Sequence, residues 1–190
     1  MTETSPKITP GEGVLYSDSD YAGLFPRFVI VVVDAAVVFL VWMPLEYLWY
    51  DVLDPFGDPY EQFIWSWVGF SYVYLAVLKQ SPVRTLGFWL TGVRIVNYKG
   101  TAPSLIRMTF RLFLWVLGPI NPLVDFFWLG GDRHRQTLRD KFAGTYVIKR
   151  RASPIAYGKR KAAYYHVMGA IFIFWEIQPA EEVSKLEHPC

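Results

Sequence analysis

The sequence predicts an all-α polytopic membrane protein of two to four transmembrane segments, with a small cytoplasmic β-ribbon. Three observations support that expectation. Hydrophobic residues make up 53% of the 190-residue chain and charged residues 19%, whereas a soluble domain carries about 45–50% and about 25%. The stretch Phe28–Leu45 reads FVIVVVDAAVVFLVWMPL and contains a single charge, Asp34; a run of that length and apolarity reads as a membrane-spanning helix. Charge is also unevenly spread. Residues 79–111 hold six basic residues and no acidic one, while residues 51–61 hold four acidic residues and no basic one.

Taken in order, residues 1–21 are mostly small and polar and read as a flexible cytoplasmic tail. They lack the basic start and apolar core of a secretory signal. Residues 22–150 form the membrane domain. Its first segment runs from about Pro26 to Trp49. Pro26 suits a helix start because its missing N–H would be unpaired there, and Pro44 kinks or ends the helix. Trp42, Tyr47, Trp49 and Tyr50 gather at the far end, as interfacial aromatics do. The second segment runs from about Tyr60 to Leu78 and is uncharged from Gln62 onward. The positive-inside rule places residues 79–111 in the cytoplasm, the acidic link outside, and the N-terminus in the cytoplasm.

Val93–Val96 alternates and is followed by a turn, and Thr145–Ile148 is a second strand candidate; the two are expected to pair as the ribbon. Residues 105–129 carry Arg107, Arg111, Pro119, Asn121, Pro122 and Asp125. They read as a broken, re-entrant hairpin that keeps both basic flanks on one side, in preference to a simple third span. Residues 151–190 form a C-terminal extension whose apolar segment, 162–177, is a short span, an interfacial helix or, around Ile171–Trp175, a strand.

Asp34 is the most informative residue. A lone carboxylate near the centre of a span costs about 2.5–3.5 kcal/mol, so it needs a partner, water or a proton. Arg27 lies seven residues earlier, about 10 Å along a helix, too far for an easy ion pair. Arg107 and Arg111, spaced i,i+4 on one face, are the candidate partners. Two readings stand: a structural ion pair that locks the bundle, or a carboxylate that binds a cation or proton. Asp125 either faces water near a helix end or joins freed carbonyls around a cation. The basic block 133–145, taken alone, suits an anionic lipid surface.

Several classes are excluded. The sequence has no G-x-S-x-G, H-E-x-x-H, P-loop or G-x-G-x-x-G pattern. His134, His166 and His188 have no ligand spacing, and the single cysteine, Cys190, precludes an internal disulfide or a cysteine metal site. No enzyme activity, catalytic residue, metal or cofactor is therefore expected. The net charge of +2 gives no case for a nucleic-acid partner.

Arg27 with Asp34, Thr85-Leu86-Gly87 before Val93-Arg94-Ile95-Val96, Arg107 with Arg111, and the block Gln136-Thr137-Leu138-Arg139-Asp140-Lys141-Phe142-Ala143-Gly144-Thr145 together resemble the RDD family. That family is named for one arginine and two aspartates, and the resemblance covers about residues 22–150. It maps the arginine onto Arg27, the first aspartate onto Asp34 and the second onto Asp140, with Asp125 competing. Gln136, Thr137, Asp140, Gly144 and Thr145 form the matching cytoplasmic motif; family members often carry His where this chain has Arg139. The resemblance implies a multi-pass protein of the cell membrane. It implies transport of an undefined ligand, in some members sodium/proton exchange. Read with the charges above, this gives a component of cation/proton or small-ligand transport with Asp34, Asp125, Arg27, Arg107 and Arg111 as the ligand- or ion-binding set, the arginines tuning the carboxylates. The alternative is a non-catalytic membrane scaffold or accessory subunit that binds a partner protein or lipid. The expected partners are the bilayer and a second copy or another membrane protein.

Overall fold

The computed structural model describes residues 12–49, 59–116, 125, 128, 132, 134–167 and 170–179. Strand β1 is Glu12–Leu15, and helix α1 is Leu24–Leu48. Helix α2, Pro59–Tyr72, continues as a π-helical stretch, Val73–Leu78. Helix α3 is Leu86–Thr91, β2 is Val93–Asn97 and α4 is Leu105–Val116. Helix α5 is Leu138–Ala143, β3 is Thr145–Lys149, β4 is Ala156–Val167 and β5 is Ala170–Pro179.

Helix α1 is apolar on all sides, yet buries only one stripe. Its buried residues, Arg27, Ile30, Asp34, Val38 and Trp42, recur every three or four positions, the spacing of one helical face. Phe25, Phe28, Leu40 and Met43 are exposed. Only 22% of its most apolar stretch is buried in the protein. A core helix would be largely covered; an apolar surface of this extent marks a bilayer or a partner.

Strands β2 and β3 pair antiparallel, with Val93 opposite Lys149 and Ile95 opposite Val147. This is the ribbon that the alternation predicts. Both faces are covered, which explains why β3 is buried from Thr145 to Ile148. One face, with Val93, Ile95 and Val147, packs with Ile30, Ala76, Phe88 and Met108. The other, with Val96, Tyr146 and Ile148, packs with Val14, Tyr16, Tyr21 and Ile177. The ribbon is thus the shared wall between the helices and a second sheet of order β1-β4-β5.

The expectation of an all-α polytopic protein is overturned by this second sheet and by the helices. Five strands lie in two sheets, and among the described residues only α1 is long and apolar enough to cross a membrane. The physical cause is legible in β5. Phe172, Phe174 and Glu176 turn inward while Ile171, Ile173 and Trp175 face outward, a period of two that a helix cannot satisfy. Its ten residues pair with β4 from Gly158↔Pro179 to Val167↔Ala170, so the apolar segment 162–177 is a hairpin rather than a helix. Residues 12–21, expected within a flexible tail, are built into the fold: β1 pairs with β4, and Tyr16 and Tyr21 are buried. The Pro-Asn-Pro break at 119–122, and with it the choice between a third span and a broken hairpin, lies outside the described residues; α4 accounts for residues 105–116.

Candidate functional site

Each aspartate that the sequence singled out is held by partners from distant parts of the chain. Asp140 is fully buried. It sits in the first turn of α5, where Thr137 caps the helix: Asp140 N–H donates to Thr137 Oγ1 and Thr137 N–H donates back to Asp140 Oδ2. This is a reciprocal capping box. The same carboxylate bridges two guanidiniums, with Arg27 Nη1 2.6 Å from Oδ2 and Arg111 Nη2 2.6 Å from Oδ1. Arg27 also donates to the carbonyls of Ala22 and Arg135, and Arg111 donates to Thr145 Oγ1. Burial by itself would raise the Asp140 carboxyl's pKa; the charges of Arg111 and Arg27 overcome it and hold the group well below the usual carboxylate range.

The remaining motif residues support this clamp. Gln136 Nε2 donates to the Thr145 carbonyl, and Gln136 N–H donates to Asp132 Oδ2. Gly144 ends α5 in the left-handed region at φ 61°, where glycine carries no Cβ penalty. Arg107, expected beside Asp34, instead donates to the carbonyls of Ala143 and Gly144 at that helix end.

Asp34 is likewise buried, but its cation is neither Arg107 nor Arg111. Lys79 Nζ lies 3.2 Å from Oδ2. Thr85 Oγ1 donates to Oδ2 at 3.0 Å, and Gly87 N–H and Tyr74 O–H donate to Oδ1 at 3.0 and 3.4 Å. The carboxylate therefore fastens α1 to the start of α3 and to the end of the π-helical stretch. Gly87 is required by space: a Cβ there would lie 2.7 Å from Asp34 Oδ1 and 2.9 Å from the Ile30 backbone. Asp125 does not face water. It is buried and pairs with Arg139 Nε at 2.7 Å.

Sequence reasoning missed Lys79 and Arg139 as partners, and it missed a fourth cluster altogether. Lys141 Nζ lies 2.5 Å from Asp132 Oδ1, donates to Tyr165 Oη at 2.7 Å and pairs with Glu176. Trp128, Phe142 and Phe174 pack around it. This cluster ties the β4–β5 hairpin to α5. The signal available for Lys79 was its place directly after the second apolar run; Thr85-Leu86-Gly87 was visible as a motif without a role.

A cavity of about 350 Å³ opens among α1, α2, α4 and α5. Arg27, Asp34, Lys79, Arg111 and Arg139 line it together with Val38, Phe39, Trp67 and Val68. Its volume falls in the range of small-molecule sites, about 300–1,000 Å³. Among the described residues no group of acidic, His or Cys side chains could hold a metal ion.

Fold and site together define a class: a domain with a lipid-type apolar helix, closed by buried arginine–aspartate and lysine–aspartate pairs. The chain belongs to the RDD family, whose model matches residues 21–144. That family is a membrane-associated domain family of uncharacterised function. No curated protein and no solved structure matches the chain.

Proposed function

We propose that this chain is an integral membrane component that takes a small ligand into the cavity among α1, α2, α4 and α5 as a step in its transport. The observation that supports it is the cavity itself, in which five charged side chains meet apolar helix faces. In this reading α1 spans the bilayer, and the helix from Pro59 to Leu78 packs beside it. The basic stretch that follows faces the cytoplasm. Exchange of a cation for protons is less well supported than uptake of a larger ligand. Among the described residues the lining holds four cations and one carboxylate, and Asp34 is already engaged by four donors.

Cysteine accessibility tests the proposal. The single cysteine, Cys190, is replaced by serine, and one cysteine is placed at a lining position (Val31→Cys or Leu75→Cys) or on the exposed face of α1 (Leu40→Cys). In membrane vesicles a charged, membrane-impermeant thiol reagent is expected to modify the lining positions and spare position 40. Lining cysteines as inert as the one at position 40 would mean a dry, purely structural bundle, and the scaffold reading would replace transport.

A further inference from the structure

The charges and the shape of the cavity point further than to a ligand of unspecified kind. We infer that it takes a single-chain anionic amphiphile, with its carboxylate or phosphate head at Lys79 and Arg139 and its apolar chain along Val38, Phe39 and Trp67. This rests on the reading that the cavity is a ligand site.

The first support is charge. Arg27, Lys79, Arg111 and Arg139 line the cavity, and among the described lining residues Asp34 is the one carboxylate. Asp140 and Asp125 answer from outside the lining. Among the described residues Asp140 is shared by Arg27 and Arg111, so three carboxylates face four cations and the group keeps a net positive charge. The four cations are not equally engaged. Arg27 and Arg111 are fixed by Asp140 and by carbonyl or hydroxyl acceptors. Lys79 has Asp34 at 3.2 Å and the Phe88 ring, and Arg139 meets Asp125 through Nε. Lys79 and Arg139 both line the cavity, so an anionic head held by the two gains two cationic partners. Ser71 Oγ, on the cavity lining, is buried with no hydrogen-bond partner among the described residues.

The second support is grading. Along α1 the lining runs from Arg27 through Val31, Asp34 and Ala35 to Val38 and Phe39, roughly 18 Å at 1.5 Å per residue. On α1 the last charge is Asp34, about 10 Å from Arg27, and the lining beyond it, Ala35, Val38 and Phe39, is apolar. Trp67 closes the far end, with its ring 5.4 Å from Phe39 and 4.7 Å from Trp42. A compact polar anion would leave that apolar end unused, and a neutral lipid would gain nothing from the cationic end.

Tryptophan quenching tests this on the full-length protein in neutral detergent. The probes are 9,10-dibromostearic acid, its methyl ester, and brominated phosphatidylglycerol as the two-chain bilayer source of the same chemistry. The acid is expected to quench through Trp67, with that component lost in Trp67→Phe, at a concentration at least about tenfold below the ester and below the phosphatidylglycerol. Lys79→Gln and Arg139→Gln should each raise the acid's half-quenching concentration by about tenfold with circular dichroism unchanged. If those variants misfold, the comparison of acid with ester on the wild-type chain decides alone. Equal quenching by acid and ester would overturn the anionic class and leave the cavity as a ligand site. Tighter quenching by phosphatidylglycerol would overturn the single chain. No Trp67-dependent quenching by any probe would overturn the ligand site itself.

Discussion

Asp140 has no exposed surface and two guanidiniums, one from the start of α1 and one from α4. Removing the charge strands both arginines. Asp140→Asn is therefore expected to cost about 3–5 kcal/mol, the usual penalty for breaking a buried ion network by one partner, read by denaturant unfolding in detergent. The pH dependence carries a definite sign. The folded carboxyl titrates below its unfolded value of about 3.9, so its stabilisation is complete above that value and lost as pH falls through the folded one. The stability difference between wild type and Asp140→Asn should be constant from neutral pH to about pH 5 and shrink below about pH 4. At this scale the sequence announced the problem better than the solution. The cost of an acid in a span shows that Asp34 needs company, but spacing favours a base on a helix face. Lys79 meets that need from just past the second helix, on a long flexible stem that reaches back.

Among the elements, α3 is a single short helix pressed on α1 at Gly87. Gly87→Ala places a methyl group within 3 Å of the Ile30 backbone and of Asp34. It should cost about 1–3 kcal/mol, the range for overpacking a filled contact, seen as a lowered melting temperature in detergent. An unchanged melting temperature would mean that α3 is not seated on α1. The β2–β3 ribbon was legible because Val93–Val96 alternates before a turn and Thr145–Ile148 gathers β-branched and aromatic residues after Gly144. The β4–β5 hairpin was legible only in part, as the strand reading around Ile171–Trp175, because apolar groups occupy both its faces: Tyr164, Ile171, Ile173 and Trp175 are exposed while Phe174 is buried. An apolar run without alternation imitates a span. Strand β1 was hidden for another reason. Its partner is β4, with Glu12 opposite Lys159, and no local pattern in four residues reveals a pairing so distant in sequence.

Across the whole molecule, three carboxylates bind elements that are remote in the chain, and the cavity lies where those elements converge. Asp34 joins α1 to α3, Asp140 joins α5 to α1 and α4, and Asp125 holds Arg139 at the cavity edge. Membrane association, which the family shares, was legible from composition, since bulk apolarity survives without any contact map. The cavity was not, because concavity depends on which helix faces meet. The central claim is that this space receives a ligand rather than serving as a gap between packed helices. An experimental structure of the full chain purified from its membrane into nanodiscs, with an antibody fragment as fiducial, tests that most directly. The account predicts one elongated density in the cavity, its head within hydrogen-bond reach of Lys79 and Arg139 and its tail against Trp67. A cavity closed by the chain's own side chains, with Lys79 and Arg139 turned away from it, would contradict the account.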